Sequence, residues 1–441
     1  MPPRVPFRRA HGGAYLSARA AWPNRGLAAA MIAAAVLLGY WLPHLERRHP
    51  VAGLSYDPAT AQATLGAIAS GIIALTGFVL TAVTLVIQSV QNASPRLAGL
   101  LGFFEHSLVL FGALTGTAVY ALVVLAQVSQ SHVPRLSVTL AIVFVILSTS
   151  TTLRTLTALR EVITGGGLAR LVGVRLHSVL DDTWQPATPA LSGREHPDPA
   201  TLTARHSGVV QSVDGAAIAG IAARHDTYVT CLAAVGTFVQ PGAPLLRVVP
   251  GPVPEDDARR LVRAVRLGPT RRIDHDPAYG LRLLVDVAIR ALSPAVNDPT
   301  TAVQALDQIE AVLLRLAHRP LGTATIHDHR GVARLTLPRP GWEEVLDLAL
   351  SEVLHYGSDS LQVVRRLRSL LDTLASSAPP ARTGALAGYR TMLDRSARAL
   401  PDPPLAAPAA VPDPQGLGGP APSGPAAPTG RADWGEAAED P

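Results

Sequence analysis

Lysine is absent: all 38 permanently cationic side chains of this 441-residue chain are arginine. That excludes any mechanism needing a lysine amine, including a Schiff base, a phosphate loop closed by lysine, and a biotinyl or lipoyl carrier. Cysteine occurs once, at Cys231, so one chain can form neither an internal disulfide nor a thiolate-only metal site. Charge is also scarce. Only 16% of residues are charged, against roughly a quarter in a soluble globular protein. Hydrophobic residues make up 48% and the mean hydropathy is +0.25, which argues against an ordinary cytosolic enzyme. The 38 arginines face 33 acids, a net charge of +5, so no strong overall imbalance points to a partner of opposite charge.

What the chain has instead is long stretches free of Asp, Glu, Arg and His, at 26–43, 58–95, 107–131 and 136–153. A spanning helix needs about 20 mostly apolar residues, and cores at 26–42, 61–87, 108–128 and 136–153 supply four. Buried helices of a soluble domain would show a polar face. Arginines precede the first stretch as they would a signal peptide, but no small-residue cleavage site follows it, so it reads as an uncleaved anchor. Arginine placement sets the orientation. Arg4, Arg8, Arg9, Arg19 and Arg25 precede the first span without an acid, and Arg154, Arg160, Arg170 and Arg175 follow the fourth. The loop 43–60 balances Arg47 and Arg48 with Glu46 and Asp57, and 129–135 holds Arg135 alone. The expectation is a multi-pass protein of a bacterial inner membrane with both termini cytoplasmic.

The second stretch, 38 residues long, would measure about 57 Å as a helix, more than a bilayer requires. Ser70, Ala74, Gly77, Thr81, Thr84, Gln88 and Gln91 recur at steps of three and four and share one face. Two readings stand: small and hydroxylated residues that pack helices closely, or a water-facing surface of a pore. No span carries an ionisable residue near its middle, which weighs against pumps, voltage sensors and ion-coupled transporters.

The composition turns globular near residue 160. The expected organisation is a basic arm at 1–25, a four-span domain at 26–160, a linker at 161–204, a small β unit at 205–250, a mostly helical domain at 251–400 and a disordered tail at 401–441. The fold class is therefore an α-helical membrane domain followed by a cytoplasmic α+β domain. Strands are predicted at 208–213, 228–233 and 245–249, with a helix at 215–225. The turn-rich run 235–242 has the rhythm of half a biotinyl/lipoyl-type sandwich, which without lysine suggests the scaffold and not the carrier chemistry. Asp276-Pro277 and Asp298-Pro299 open two helices, since Asp accepts from the free N–H groups and Pro suits the first helical position. A hairpin follows at 324–327 and 332–337, then helices near 342–355, 360–376 and 384–400. The tail holds 11 prolines among Ala and Gly, too little apolar surface to offset its ordering entropy.

The run DPAYGLRLLVDVAIRALSPAVNDPTTA, 276–302, resembles the signature of a bacterial predicted membrane-protein family, domain of unknown function 2254. The segment 88–96, QSVQNASPR, resembles that family's SPR segment. The resemblance spans roughly 25–375. It implies N-terminal spans with one soluble domain, and brings no activity, cofactor or catalytic residue.

The polar cluster Asp286, Arg290, Ser293, Asn297, Asp298, Thr300 and Thr301 is the candidate site. One reading is a capped helix–loop–helix held by an ion pair and side-chain turn bonds; the other is a pocket for an anion or a partner loop. No catalytic residue, cofactor or metal is assigned. His275 between two aspartates, and His327 with His329, match no metal-ligand spacing. Arg365, Arg366 and Arg368 read as a solvated or lipid-headgroup face, and without interleaved aromatics they do not suggest nucleic acid. The expected partners are the bilayer and further copies of the chain. The leading reading is an oligomeric channel-like or scaffolding protein and not an enzyme. The alternative is a membrane-anchored enzyme or ligand sensor using the 286–301 cluster.

Overall fold

A computed structural model describes residues 13–48, 56–93, 96, 103–130, 132–163, 166–183, 188–189, 199–399 and 406–417. The chain divides into two compact units, residues 1–167 and 168–441.

The first unit is four helices: α1 (Gly13–Arg48), α2 (Pro58–Ala93), α3 (Phe103–Leu125) and α4 (Arg135–Ile163). Their apolar segments Arg25–Arg48, Pro58–Gln91, Leu108–Leu125 and Arg135–Thr157 are each long and apolar enough to cross a membrane. Each overlaps one of the four charge-free stretches. The 36 residues of α2 give it a length of about 54 Å. Leu65, Ala69, Tyr120, Val124, Val138 and Ala141 form a continuous buried cluster among the helices. Polar side chains tie the bundle as well. Thr117 and Ser148 share a hydrogen bond of 2.8 Å between α3 and α4. Tyr120 Oη donates to the Ser137 carbonyl at 3.1 Å, and Gln127 Nε2 donates to the Gly39 carbonyl at 2.7 Å.

The second unit begins with α5 (Gly167–Thr183) and continues through β1 (Thr188–Pro189), β2 (Ala200–Thr203), β3 (Gly208–Val213), α6 (Gly215–Arg224), β4 (Tyr228–Cys231), β5 (Phe238–Val239) and β6 (Pro244–Val249). Then come α7 (Glu255–Ala264), β7 (Val265–Gly268), α8 (Pro277–Ala291), α9 (Pro299–Ala317), β8 (Ala324–His327) and β9 (Ala333–Leu337). It ends in α10 (Trp342–Gly357), α11 (Leu361–Ser377), α12 (Pro380–Thr383), α13 (Leu386–Ala399) and α14 (Ala406–Ala409). The strands form a six-stranded sheet in the order β1-β8-β9-β4-β6-β2 and a three-stranded sheet in the order β5-β3-β7. Among the described residues, only the β4–β9 pairing is parallel. Leu246, Val229, Ile218, Val210, Leu261 and Leu335 share one core.

Four expectations change here. The segment 161–204, read as a linker, contains α5. Gly173 of α5 meets Gln308 of α9, and α5 also sends Asp181 to Arg315 and Arg319. The β unit does not close on itself at residue 250. The sheet edges at β4 and β6 need strand partners, and β9 and β2 provide them from far away in sequence. Arg365 and Arg366, read as a solvated or headgroup face, are 3% and 4% exposed, because α9, α13 and the chain beyond α13 cover that side of α11. Finally, the described part of the proline-rich tail, 406–417, packs on α11 with Ala409 and Asp413 buried. Composition misled there because backbone carbonyls and one turn, not apolar bulk, hold it. Residues 418–441 lie outside the described residues.

Candidate functional site

The 276–302 signature folds as α8, a tight turn and α9. Asp276 caps α8, its Oδ1 accepting the Tyr279 N–H at 3.0 Å, with Pro277 in the first helical turn. Asp298 caps α9 in the same way through the Thr301 N–H at 3.1 Å, and Thr301 Oγ1 donates to its second oxygen at 2.5 Å. Between the helices, Ser293 Oγ donates to the Arg290 carbonyl at 2.8 Å, and the Ser293 carbonyl accepts the Asn297 N–H at 2.8 Å. Asn297 takes a left-handed backbone, φ +47°, which Asn tolerates better than most residues. The Asp298 N–H then returns to the Ala291 carbonyl at 2.8 Å and closes the turn.

The structure therefore brings Ser293, Asn297, Asp298 and Thr301 together as a self-bonded turn, with Arg290, Asn297 and Thr300 exposed. Asp286 is not part of it. It sits buried near the middle of α8, five residues before Ala291 ends the helix and so about 8 Å away along the axis. There it accepts from Arg282 Nε at 2.8 Å, the other i,i+4 neighbour of the charge ladder. Arg282 reaches on to α10, where its Nη2 donates to Glu352 Oε2 at 2.9 Å. The periodicity of α8 made the Arg282–Asp286 pair legible; Glu352, 70 residues away in sequence, carried no signal.

The second candidate group, on α2, lies on a face the bundle does not use. Leu65, Ala69, Ile72, Val79, Val83 and Val86 are the buried side of α2, whereas Ser70, Gly77, Thr81, Thr84, Gln88 and Gln91 are all exposed. Among the described residues, no helix covers the stripe. Ser70, Thr81 and Thr84 instead donate to the carbonyls of Gly66, Gly77 and Leu80 one turn back, at 2.9, 3.1 and 2.8 Å.

Several polar groups have surroundings that the sequence did not show. Asp276 is 5% exposed, and burial raises its pKa, yet its Oδ2 finds no hydrogen-bond partner. The turn at Gly236, φ +91°, comes so close that a Cβ there would lie 2.7 Å from that oxygen and 2.8 Å from the Arg271 guanidinium carbon. Arg271 Nε donates to the Gly236 carbonyl at 2.9 Å, so β-turn and helix cap are fitted to one another. Asp328 is absorbed by its own hairpin: it accepts from the Arg330 and Val332 N–H groups, and the Arg334 guanidinium is the main cause holding its pKa down at about 2. A cleft of about 570 Å³ between α10 and α13 is lined by Glu343, Glu344, Asp347, Ser351, Glu352 and Tyr389, of which only Glu352 touches the network of a sequence candidate.

The curated relatives that match part of the chain include an uncharacterized protein of Mycobacterium bovis and an uncharacterized protein of Mycobacterium tuberculosis. Each is 34% identical over 218 residues, covering 46% of this chain and 42% of the relative. The chain thus aligns with less than half the length of these curated relatives. No solved structure matches it. The family model described as a predicted membrane protein, domain of unknown function 2254, matches residues 23–373, which takes in the four apolar helices, both sheets and the helices through most of α11. The chain belongs to that family of predicted membrane proteins.

Proposed function

We propose that this protein is a homo-oligomeric protein of the bacterial inner membrane in which α2 lines the axis of the assembly, with both chain ends on the cytoplasmic side. One observation carries the reading: the bundle buries one side of α2 and, among the described residues, leaves Ser70, Gly77, Thr81, Thr84, Gln88 and Gln91 exposed. Apolar residues gain little from helix contact inside a bilayer, so association there relies on close approach of small residues and on hydrogen bonds. This face offers both. Its hydroxyl hydrogens are spent on backbone carbonyls, so lone pairs and two amides would face the axis, an uncharged surface suited to passive passage and not to ion coupling. The arginine asymmetry around the spans supports the orientation.

The competing reading, an enzyme or ligand sensor using the 286–301 cluster, has less support, since Asp286 is committed to Arg282 while the Ser293–Asn297 turn bonds mostly to itself. The test is Thr81→Cys. Mild oxidation in membranes should yield a disulfide-linked dimer, because Cys231 is buried and stays silent. Vesicles bearing the protein should also pass small solutes. A monomer that neither cross-links nor raises flux above empty vesicles overturns both the assembly and the conduit.

A further inference from the structure

The segment 406–417 is held on α11 by contacts aimed at its main chain. Arg365 Nε donates to the Val411 carbonyl at 3.0 Å, Arg368 Nε to the Ala409 carbonyl at 3.3 Å, and Gln362 Nε2 to the Gly416 carbonyl. In return the Asp413 N–H donates to the Arg365 carbonyl at 3.2 Å. Asp413, 2% exposed, shapes the turn by accepting the N–H groups of Gln415 and Gly416 at 3.1 and 2.9 Å. Gly416 closes it at φ +66°, and a Cβ there would lie 2.3 Å from Val303 Cγ1 on α9. Position 416 is therefore selected twice, by backbone and by space. Beneath the segment, Arg366 is held by Asp307 at 2.9 Å and by Glu310, partners that lie on α9 and not on the segment.

The seat and its occupant also fall on opposite sides of the family match. Val303, Asp307, Glu310, Gln362, Arg365, Arg366 and Arg368 all fall inside the family match at 23–373, whereas 406–417 falls outside it. We infer that the α9–α11 face is a peptide-recognition groove for proline-flanked Asp-Pro-x-Gly turns, occupied in this chain by its own Asp413-Pro414-Gln415-Gly416. Proline-rich partners suit such a groove: each proline fixes its own φ and so lowers the entropic cost of ordering, and their carbonyls can be read by Arg and Gln. Six residues separate the end of α13 from the start of α14. So short a tether gives the internal segment an effective concentration of order millimolar, and a peptide supplied from outside must outcompete it.

That dictates the experiment. The probe is a fluorescein-labelled synthetic peptide of residues 406–417, and the protein is the full-length chain in detergent, unaltered or carrying Asp413→Ala with Gly416→Ala. Both substitutions lie in the occupant, so the groove keeps its residues. By fluorescence anisotropy the double variant should bind the peptide at least tenfold more tightly than the unaltered chain. Adding Arg365→Ala to the variant, or placing Gly416→Ala in the peptide, should remove that gain. Equal binding to both proteins, no binding to the variant, or indifference to the peptide's glycine overturns the groove. If the double variant does not elute as the unaltered chain does, Gly416→Ala alone serves, with the same outcomes read the same way.

Discussion

Glu46, at the end of α1, caps the helix that begins at Arg135: its Oε1 accepts the backbone N–H of Ser137 at 2.9 Å and its Oε2 that of Leu136 at 2.9 Å. The Ser137 hydroxyl joins the same carboxylate. One acid, 6% exposed, thus fixes how the first and fourth spans meet. A carboxylate at a helix N-terminus satisfies orphan donors and favours the helix dipole. Glu46→Ala leaves these donors buried without a partner, at a cost of about 1–3 kcal/mol. The detergent-solubilised variant should melt several degrees lower, while Glu46→Gln, which keeps one acceptor, should lose less. Equal melting of Glu46→Ala and the unaltered protein would show that the cap is not stabilising.

Asp276 separates capping from charge. Its Oδ1 caps α8, while Oδ2 is buried without a partner and burial raises its pKa. Asp276→Asn keeps the capping oxygen and removes the buried charge, so stability at pH 7 should hold or rise. Asp276→Ala should cost about 1 kcal/mol as an ordinary cap loss does. Chemical denaturation midpoints decide between them; an Asn variant as damaged as the Ala variant would mean that the carboxylate's charge is needed against Arg271.

His177 predicts an acid sensitivity. Its Nδ1 lies 2.9 Å from Arg315 Nη1, a donor, so that nitrogen accepts and the ring is neutral. Burial and then the Arg315 charge lower its pKa from 6.5, against an opposing pull from Asp181. The folded state thus takes up the proton less readily than the unfolded state. The stability conferred is complete above about pH 6.5 and falls away as pH drops through the folded value. His275, lowered first by burial, acts with the same sign. The melting temperature should fall between pH 7.5 and 5.5, and His177→Gln should flatten part of that fall. A slope identical in the variant would remove His177 as a contributor.

Cys231 simplifies the topology measurement. It is buried, its thiol donates to the Ala233 carbonyl at 3.2 Å, and burial pushes its pKa up to about 11, so an alkylating reagent should leave it untouched in the folded protein. An impermeant maleimide added to intact cells should label Gln130→Cys and spare Thr201→Cys, both of which are exposed positions. The reverse pattern would invert the orientation.

The division between sequence and structure follows the range of the forces involved. Charge-free runs of bilayer length are a local property, so the four apolar helices could be read directly, and α2 keeps nearly the limits of its charge-free stretch while α4 runs on to Ile163. The Asp-Pro starts of α8 and α9 were legible for the same reason, because a cap acts over three residues. The spacing from Ser70 to Gln91 gathers those residues on one face by helix geometry; which face the bundle buries depended on α3 and α4, and no spacing within α2 encodes that. Pairing of β4 with β9 joins residues about a hundred positions apart, and the burial of Arg365 and Arg366 required α9, α13 and the 406–417 segment to arrive around them. Local pattern determined the elements and their caps. Tertiary packing alone decided which polar groups were spent on one another and which stayed exposed, because desolvation is a property of the whole neighbourhood and not of the residue.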